Sequence, residues 1–469
     1  MPLLNDDRLF PTEPAVRALA RELYSSVQGL PIISPHGHTD PRWFAENEPF
    51  PDPANLFVTP DHYVFRMLHS QGIPLDAMGV PRADGGPVEA DPRKIWRLFA
   101  QNYHLLRATP SRIWVDHAFQ TVFGVNKRLS AETADEIYDQ IAECLSQDAY
   151  RPRALFERFN IEAISTTESA LDDLHWHKMI RDSGWSGKVT TTYRPDAVID
   201  PEFGGFAENI ATLGELTSED TSTWVGYLAA HRSRRAYFKT VGGATASDHG
   251  HPTARTEDLP QAEAAALFAK ALQGKCSAEE ADRFRGHMLT EMARMSLDDG
   301  LVMQIHPGAT RNHSASIFDR FGRDKGYDIP TRTDYVTALR PLLNAVGENP
   351  DLTVIIFTLD ETSYARELAP LAGVYPALKL GPPWWFHDSY EGMMRFREMT
   401  TETAGFYNTV GFNDDTRAFC SIPARHDVAR RVDCSFLATL VATGRLDKDE
   451  AFEVAHDLAY RLAKQAYRL

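Results

Sequence analysis

The stretch Pro31-Ile-Ile-Ser-Pro-His36-Gly-His38-Thr-Asp-Pro41 sets two histidines one residue apart after a short apolar run. In an extended segment the side chains at i and i+2 point the same way, so both imidazoles can converge on one point. Gly37, lacking a side chain, leaves the backbone open to a ligand. Two neutral imidazoles at a strand end make half of a transition-metal site, and the remaining ligands must come from elsewhere.

Three further groupings compete. His175-Trp-His177 falls in a predicted helix, where residues two apart point to roughly opposite faces and cannot share an ion. His249-Gly-His251 falls in a Gly/Pro-rich stretch that reads as a loop, with no element to fix its geometry. His287 and Glu291, one helical turn apart, read as an exposed polar pair.

The elements that must position the pair follow from periodicity. A helix is expected over 12–24, N-capped by Thr12, then a first strand at 30–34. Residues 42–153 read as helical throughout. Further strands are expected at 161–165, 188–193, 236–241, 301–305, 352–357, 377–380 and 408–412, separated by helices. Eight strands alternating with helices predict an α/β fold, a closed (β/α)8 TIM-type barrel with an all-helical insertion after strand one. The expected division is 1–41 (N-terminal helix and first barrel strand), 42–155 (helical insertion) and 156–469 (the remaining barrel and C-terminal helices). An open doubly wound sheet is the alternative if the strands at 236 and 377 fail.

In such a barrel the carboxyl ends of the strands share one face. That selects Arg194 after strand three, His306 and Arg311 after strand five, and Asp414, Asp415 and Arg417 after strand eight. A strand-eight aspartate with the His-x-His pair can hold a divalent metal and leave positions open for substrate.

Composition bounds the function. The 469 residues carry a net charge of −16, and no basic stripe is interleaved with aromatics, which argues against nucleic-acid binding. An anionic small molecule would need local arginines working against that field. Four scattered cysteines without a C-x-x-C pair fit a reducing cytoplasm, and no apolar run approaches a membrane span. No G-x-G-x-x-G or complete P-loop is present, so nucleotide binding is unsupported.

His36-Gly-His38, Thr59-Pro-Asp-His-Tyr63, Thr192-Tyr-Arg-Pro-Asp196, Ser247-Asp-His-Gly250, Met303-Gln-Ile-His306 through Asn312, and Asp415-Thr-Arg417 together resemble the uronate isomerase (glucuronate isomerase) family of the amidohydrolase superfamily. The resemblance runs over essentially the whole chain. It implies interconversion of D-glucuronate with D-fructuronate, and of D-galacturonate with D-tagaturonate, in a barrel with a helical insertion. It favours one divalent metal on His36, His38 and Asp415, because the sixth strand runs into Phe357-Thr-Leu-Asp360 without the histidine that hydrolases of the superfamily carry there. Zinc is the default for that ligand set, with manganese or iron as alternatives.

On this reading Asp415, or a metal-bound water that it polarises, is the base, the metal and Tyr63 stabilise the developing oxyanion with Tyr63 moving a proton between oxygens, and Arg417 keeps Asp415 ionised and binds a substrate oxygen. His62, Arg194, His306 and Arg311 would bind the hexuronate, with Trp384 and Trp385 stacking on the sugar or serving as core. A metal-dependent hydrolase or decarboxylase on the same scaffold is the alternative. A small-molecule hexuronate is the expected partner, with no nucleic acid and no membrane. Oligomeric state is left open, a homo-oligomer included.

Overall fold

The computed structural model describes residues 3–469. Seven parallel strands form one curled sheet in the order in which they occur along the chain. They are β1 (Ile32–Ser34), β2 (Ile161–Ser169), β3 (Lys188–Arg194), β4 (Ala246–His249), β5 (Val302–Ile305), β8 (Val354–Ile356) and β9 (Leu378–Leu380). β6 (Ala309–Thr310) and β7 (Ile329–Pro330) pair separately as a small antiparallel hairpin beyond β5. Where an eighth long strand was expected, a single parallel bridge joins Leu380 to Thr409.

The period of two along each strand decides what faces where. Met303, Ile305, Val354 and Ile356 pack outward with the surrounding helices, whereas Ala246, Val302, Ile355 and Phe357 pack together on the inner side with Val410 and Tyr467. Continuing this alternation by one step carries Asp248 and His306 to the inner side, just where β4 and β5 end. Tyr467, from the C-terminal segment, donates to Gln304 Oε1 at 3.3 Å within that interior.

Between β1 and β2 the described residues are helical or irregular, as expected. Several of these helices begin with the same device, an N-cap side chain followed by proline: Asp40-Pro41, Asp52-Pro53, Asp91-Pro92 and Thr109-Pro110. The cap satisfies a free N–H, and proline at the first helical position has none to lose. Their apolar faces form one cluster that also takes in Ile32, Ile161 and Phe419, which joins the helices to the outer face of β1 and β2.

Two expectations fail on local chemistry. The first helix runs Pro14–Val27 and is capped by Glu13, whose carboxylate accepts from Val16 N–H, not by Thr12. Residues 236–241 are not a strand but the last turns of a helix, Trp224–Gly242, closed by Gly243 with φ +64°. The real fourth strand follows at once, at Ala246–His249.

Candidate functional site

β1 delivers His36 and His38 to the carboxyl end of the sheet. Their Nε2 atoms lie 3.5 and 3.3 Å from the same oxygen, Asp415 Oδ1. The convergence expected of a His-x-His pair is therefore met by a carboxylate from the far end of the chain. Gly37 is required for it: a Cβ there would sit 3.3 Å from Thr416 O and 3.6 Å from Thr416 N. The close approach is made by the Thr416 backbone. His38 N–H donates to Thr416 O at 3.0 Å and locks the two segments together. Asp415 itself has φ +40°. A non-glycine residue in the left-handed region costs of order 1–3 kcal/mol and persists where neighbours over-determine it.

His306 stands beside this group, stacked on Phe357 at 4.1 Å and on His36 at 4.9 Å between ring centroids. Its Nδ1 bonds Asp248 Oδ1 at 2.7 Å, and its buried Nε2 has no partner. Two sets of atoms could hold a metal, His36/His38/Asp415 and His36/Asp248/His306, each with its ligand atoms within 4.8 Å of one another. They share His36.

Electrostatics suit ligation. Burial lowers His36 to about 4, so it is a neutral imidazole near pH 7. Burial would raise Asp415, but His38 and His36 outweigh it and hold the carboxyl well below its ordinary range. Asp248 is likewise held ionised against burial by His306 and Arg194.

A cavity of about 750 Å³ opens over these groups. Tyr63 and His62, at the start of the helix His62–His69, line it, and the Tyr63 ring packs edge-on against Trp385 and Trp114 at 4.7 and 5.4 Å. Burial pushes the Tyr63 phenol up, so it stays protonated, and lowers His62 well below its usual value. Arg194, at the end of β3, lines the cavity with Nε donating to Asp196 at 2.8 Å and Nη1 3.4 Å from Asp248. Burial works against its charge, yet those two aspartates hold its pKa above the ordinary value. Arg311 pairs with Asp328 at 2.9 Å. Trp384 and Trp385 both line the cavity; Trp385 is also core, its Nε1 donating to Asp328 O at 2.8 Å.

Arg417 lines the same cavity as Asp415, with its guanidinium 3.6 Å from Asp324, while the groups that keep Asp415 ionised are chiefly histidines. Of the competing groupings, His175 is exposed while His177 is buried against Thr166 at 2.9 Å, as opposite helix faces require. His249 is on β4, not in a loop, and is fully buried with His251 beside it. His287 is buried, not exposed: its Nδ1 accepts from Leu259 N–H at 3.2 Å.

Sequence reasoning missed several groups. Asp248 was displaced with its strand, although Gly242-Gly243 is a helix stop that could have reset the register. Asp324 and Asp328, which pair with Arg417 and Arg311, come from the long excursion after β5 and carry no sequence signal. Nor does Arg425, considered below.

Metal-competent side chains gathered where parallel strands end, under a cavity lined by arginines, define an α/β enzyme. Known proteins say which. The profile described as Glucuronate isomerase matches residues 12–467, and the chain belongs to that family. It is 69% identical over 467 residues to the uronate isomerase of Rhizobium meliloti (strain 1021), covering 100% of this chain and 99% of that one. The crystal structure of glucuronate isomerase from Caulobacter crescentus superposes with a TM-score of 0.98 at 59% identity, covering 100% of this chain and 98% of the other. The uronate isomerase structure from Thermotoga maritima gives 0.91 at 27% identity, with 99% of each chain covered.

Proposed function

We propose that this uronate isomerase interconverts D-glucuronate with D-fructuronate, and D-galacturonate with D-tagaturonate, by moving a proton between C2 and C1 through an enediol. The observation that carries the chemistry is the convergence of His36, His38 and Asp415 on one point at the cavity, beside a neutral tyrosine.

The donor set fits a divalent metal: neutral imidazole, an ionised carboxylate, and Asp415 Oδ1 buried without a hydrogen-bond partner. His36, His38 and Asp415 would hold it, in preference to the set with Asp248, because Asp248 is already engaged by His306 and Arg194. Zinc is the default for such ligands, with manganese or iron as alternatives. When bound, the ion would act as an electrophile toward substrate oxygen.

The protein's own groups do the rest. Asp415 takes the C2 proton, exchanges it with solvent while the enediol stands, and delivers a proton to C1. Tyr63, kept neutral by burial, donates to the developing oxyanion and passes a proton between O1 and O2. Arg311 and Arg194 receive the substrate carboxylate, with His62 and His306 bonding hydroxyls and Trp384 against the sugar face. Arg417 sits at the cavity as a further hydroxyl or carboxylate donor, its looser pair with Asp324 leaving donors free.

The architecture we assign is a closed (β/α)8 barrel with residues 42–155 inserted after its first strand and 156–469 completing it. The Leu380–Thr409 bridge supports an eighth strand, and the His38–Thr416 hydrogen bond supports closure back to β1. A cytoplasmic setting accords with four unpaired cysteines. No described helix is long and apolar enough to cross a membrane.

The test is turnover of D-glucuronate in deuterated water by metal-depleted and reconstituted protein. Label at C1 or C2 without net hydrolysis is expected, with about a 100-fold or greater loss of kcat in Tyr63→Phe. Unlabelled product, or a Tyr63→Phe enzyme as fast as the parent, refutes the scheme.

A further inference from the structure

Arg425 has no part in the steps above, yet it reaches both Tyr63 and the residue before Asp415. It is fully buried on the long helix Ile422–Ala442. Its Nη1 donates to Asp388 Oδ2 and, at 3.2 Å, to the carbonyl of Asp414. Nε donates to Ser421 Oγ at 3.2 Å. The guanidinium carbon lies 3.6 Å from the Trp114 ring centroid and 4.7 Å from that of Tyr63. Asp388, its counter-ion, is equally buried.

Two demands meet on this side chain. Asp415 is held with φ +40°, a conformation that needs support from both sides. On its carboxyl side the support is His38 N–H to Thr416 O. On its amino side it is Arg425 to Asp414 O, with His426 Nε2 3.1 Å from Asp414 Oδ2. The second demand is the Tyr63 ring, whose phenol must meet the substrate at a fixed angle. A planar guanidinium can stack on aromatic faces and donate in its own plane at the same time; an ammonium cannot.

We propose that Arg425, anchored by Asp388, is a positioning residue for the isomerisation, setting the Tyr63 ring and the Asp415 backbone together. The inference rests on the roles given above to Tyr63 and Asp415. It makes the spacing of acid and base a property of one buried cation, so that neither group can shift without the other.

The test is a double-mutant cycle on the metal-loaded, full-length chain with D-glucuronate: Arg425→Lys, Tyr63→Phe and the pair, with metal content and thermal midpoint measured for each. Arg425→Lys keeps the charge and loses the fork. It is expected to lower kcat about 100-fold with KM within about threefold, at parental metal content. The isotope effect on 2-deuterated D-glucuronate should rise as the proton transfer becomes more limiting. The double variant should be less impaired than the product of the single losses.

A kcat within about threefold of the parent, an unchanged isotope effect, or losses that multiply would each overturn the proposal. Loss of thermal midpoint with parental kcat per metal-loaded site would reduce Arg425 to a structural role and overturn it too. If Tyr63→Phe alone is silent, the assignment of Tyr63 is what falls, and the inference with it. Should Arg425→Lys fail to fold, the near-isosteric Asp388→Asn gives the same reading: about a tenfold loss in kcat, non-additive with Tyr63→Phe, supports the anchor, and parental kcat refutes it.

Discussion

Gly37→Ala is the smallest change that should damage the site. The backbone at Gly37 is outside the left-handed region, so a side chain costs nothing in conformation and the obstacle is space. The new Cβ would stand 3.3 Å from Thr416 O, inside ordinary carbon–oxygen contact, and 3.8 Å from Asp414 Oδ1. Thr416 must retreat by a few tenths of an ångström. It cannot do so freely, because its carbonyl accepts from His38 N–H at 3.0 Å. Stretching that bond forfeits about 0.5–1.5 kcal/mol, and overpacking a close contact costs about 1–3 kcal/mol in total. Spread over a chain this long, at about 2.1 cal/mol/K of unfolding entropy per residue, the thermal midpoint should fall by only about 1–3 °C.

Activity should suffer more, because the segment that moves carries Asp415. Displacing a reacting group by a fraction of an ångström is expected to lower kcat about 10- to 100-fold. The assay is kcat on D-glucuronate beside a calorimetric midpoint. An alanine enzyme with parental turnover and midpoint would show that the two segments are not coupled through Gly37.

Two other predictions bear on recognition and on pH. Arg311→Met should reduce kcat/KM for D-glucuronate about 10- to 100-fold through loss of a charge-assisted fork, while a neutral aldose of the same stereochemistry changes little; equal weakening of both would remove carboxylate binding from Arg311. Glu168, buried on β2, is raised by that burial to about 7, although Thr191 and Thr166 donate to it. The folded state therefore holds the proton more tightly than the unfolded one, so its contribution to stability is full below about 4.5 and is lost as pH rises to about 7. Buried His177, lowered to about 4, runs the opposite way, adding stability as pH rises from about 4 to 6.5. Glu168→Gln should thus gain on the parent as pH climbs from about 4.5 to 7, measured by denaturant unfolding; a constant difference between the two proteins contradicts it.

Much of this was legible in the residues themselves. The His-x-His pair could be read because a strand has a period of two and no other common element does. The helical nature of 42–153 was legible from spacing, and the proline-after-cap starts agree with it. The failure at 236–241 has a physical cause. Tyr237, Phe238, Thr240 and Val241 are good strand formers, but they lie within a 19-residue helix whose buried Phe238 packs on Tyr193 of β3 and whose buried Arg235 pairs with Asp299. Packing overrode propensity, and His249 and Asp248 were misplaced with the strand. Arg417 reaches the cavity beside Asp415 although Asp415 turns left-handed, with Asp324 as the partner that no spacing announces. Arg425 was invisible, since nothing local marks a helical arginine as the contact of a tyrosine far from it in sequence.

The meeting of His36 and His38 with Asp415 has a consequence for how the protein is made. The two histidines leave the ribosome early, while their carboxylate partner follows only after most of the chain has been synthesised. At about 5–20 residues per second that interval is tens of seconds, during which two metal-competent imidazoles stand without the third member of their set. The helix Ile422–Ala442, whose Arg430 grips the carbonyls of Gln28, Leu30 and Pro31, emerges after Asp415 and clamps the start of β1. Completion of the site is thereby coupled to synthesis of the segment that carries Asp415: a chain truncated before it retains its first two ligands but cannot bring them under the control of the third.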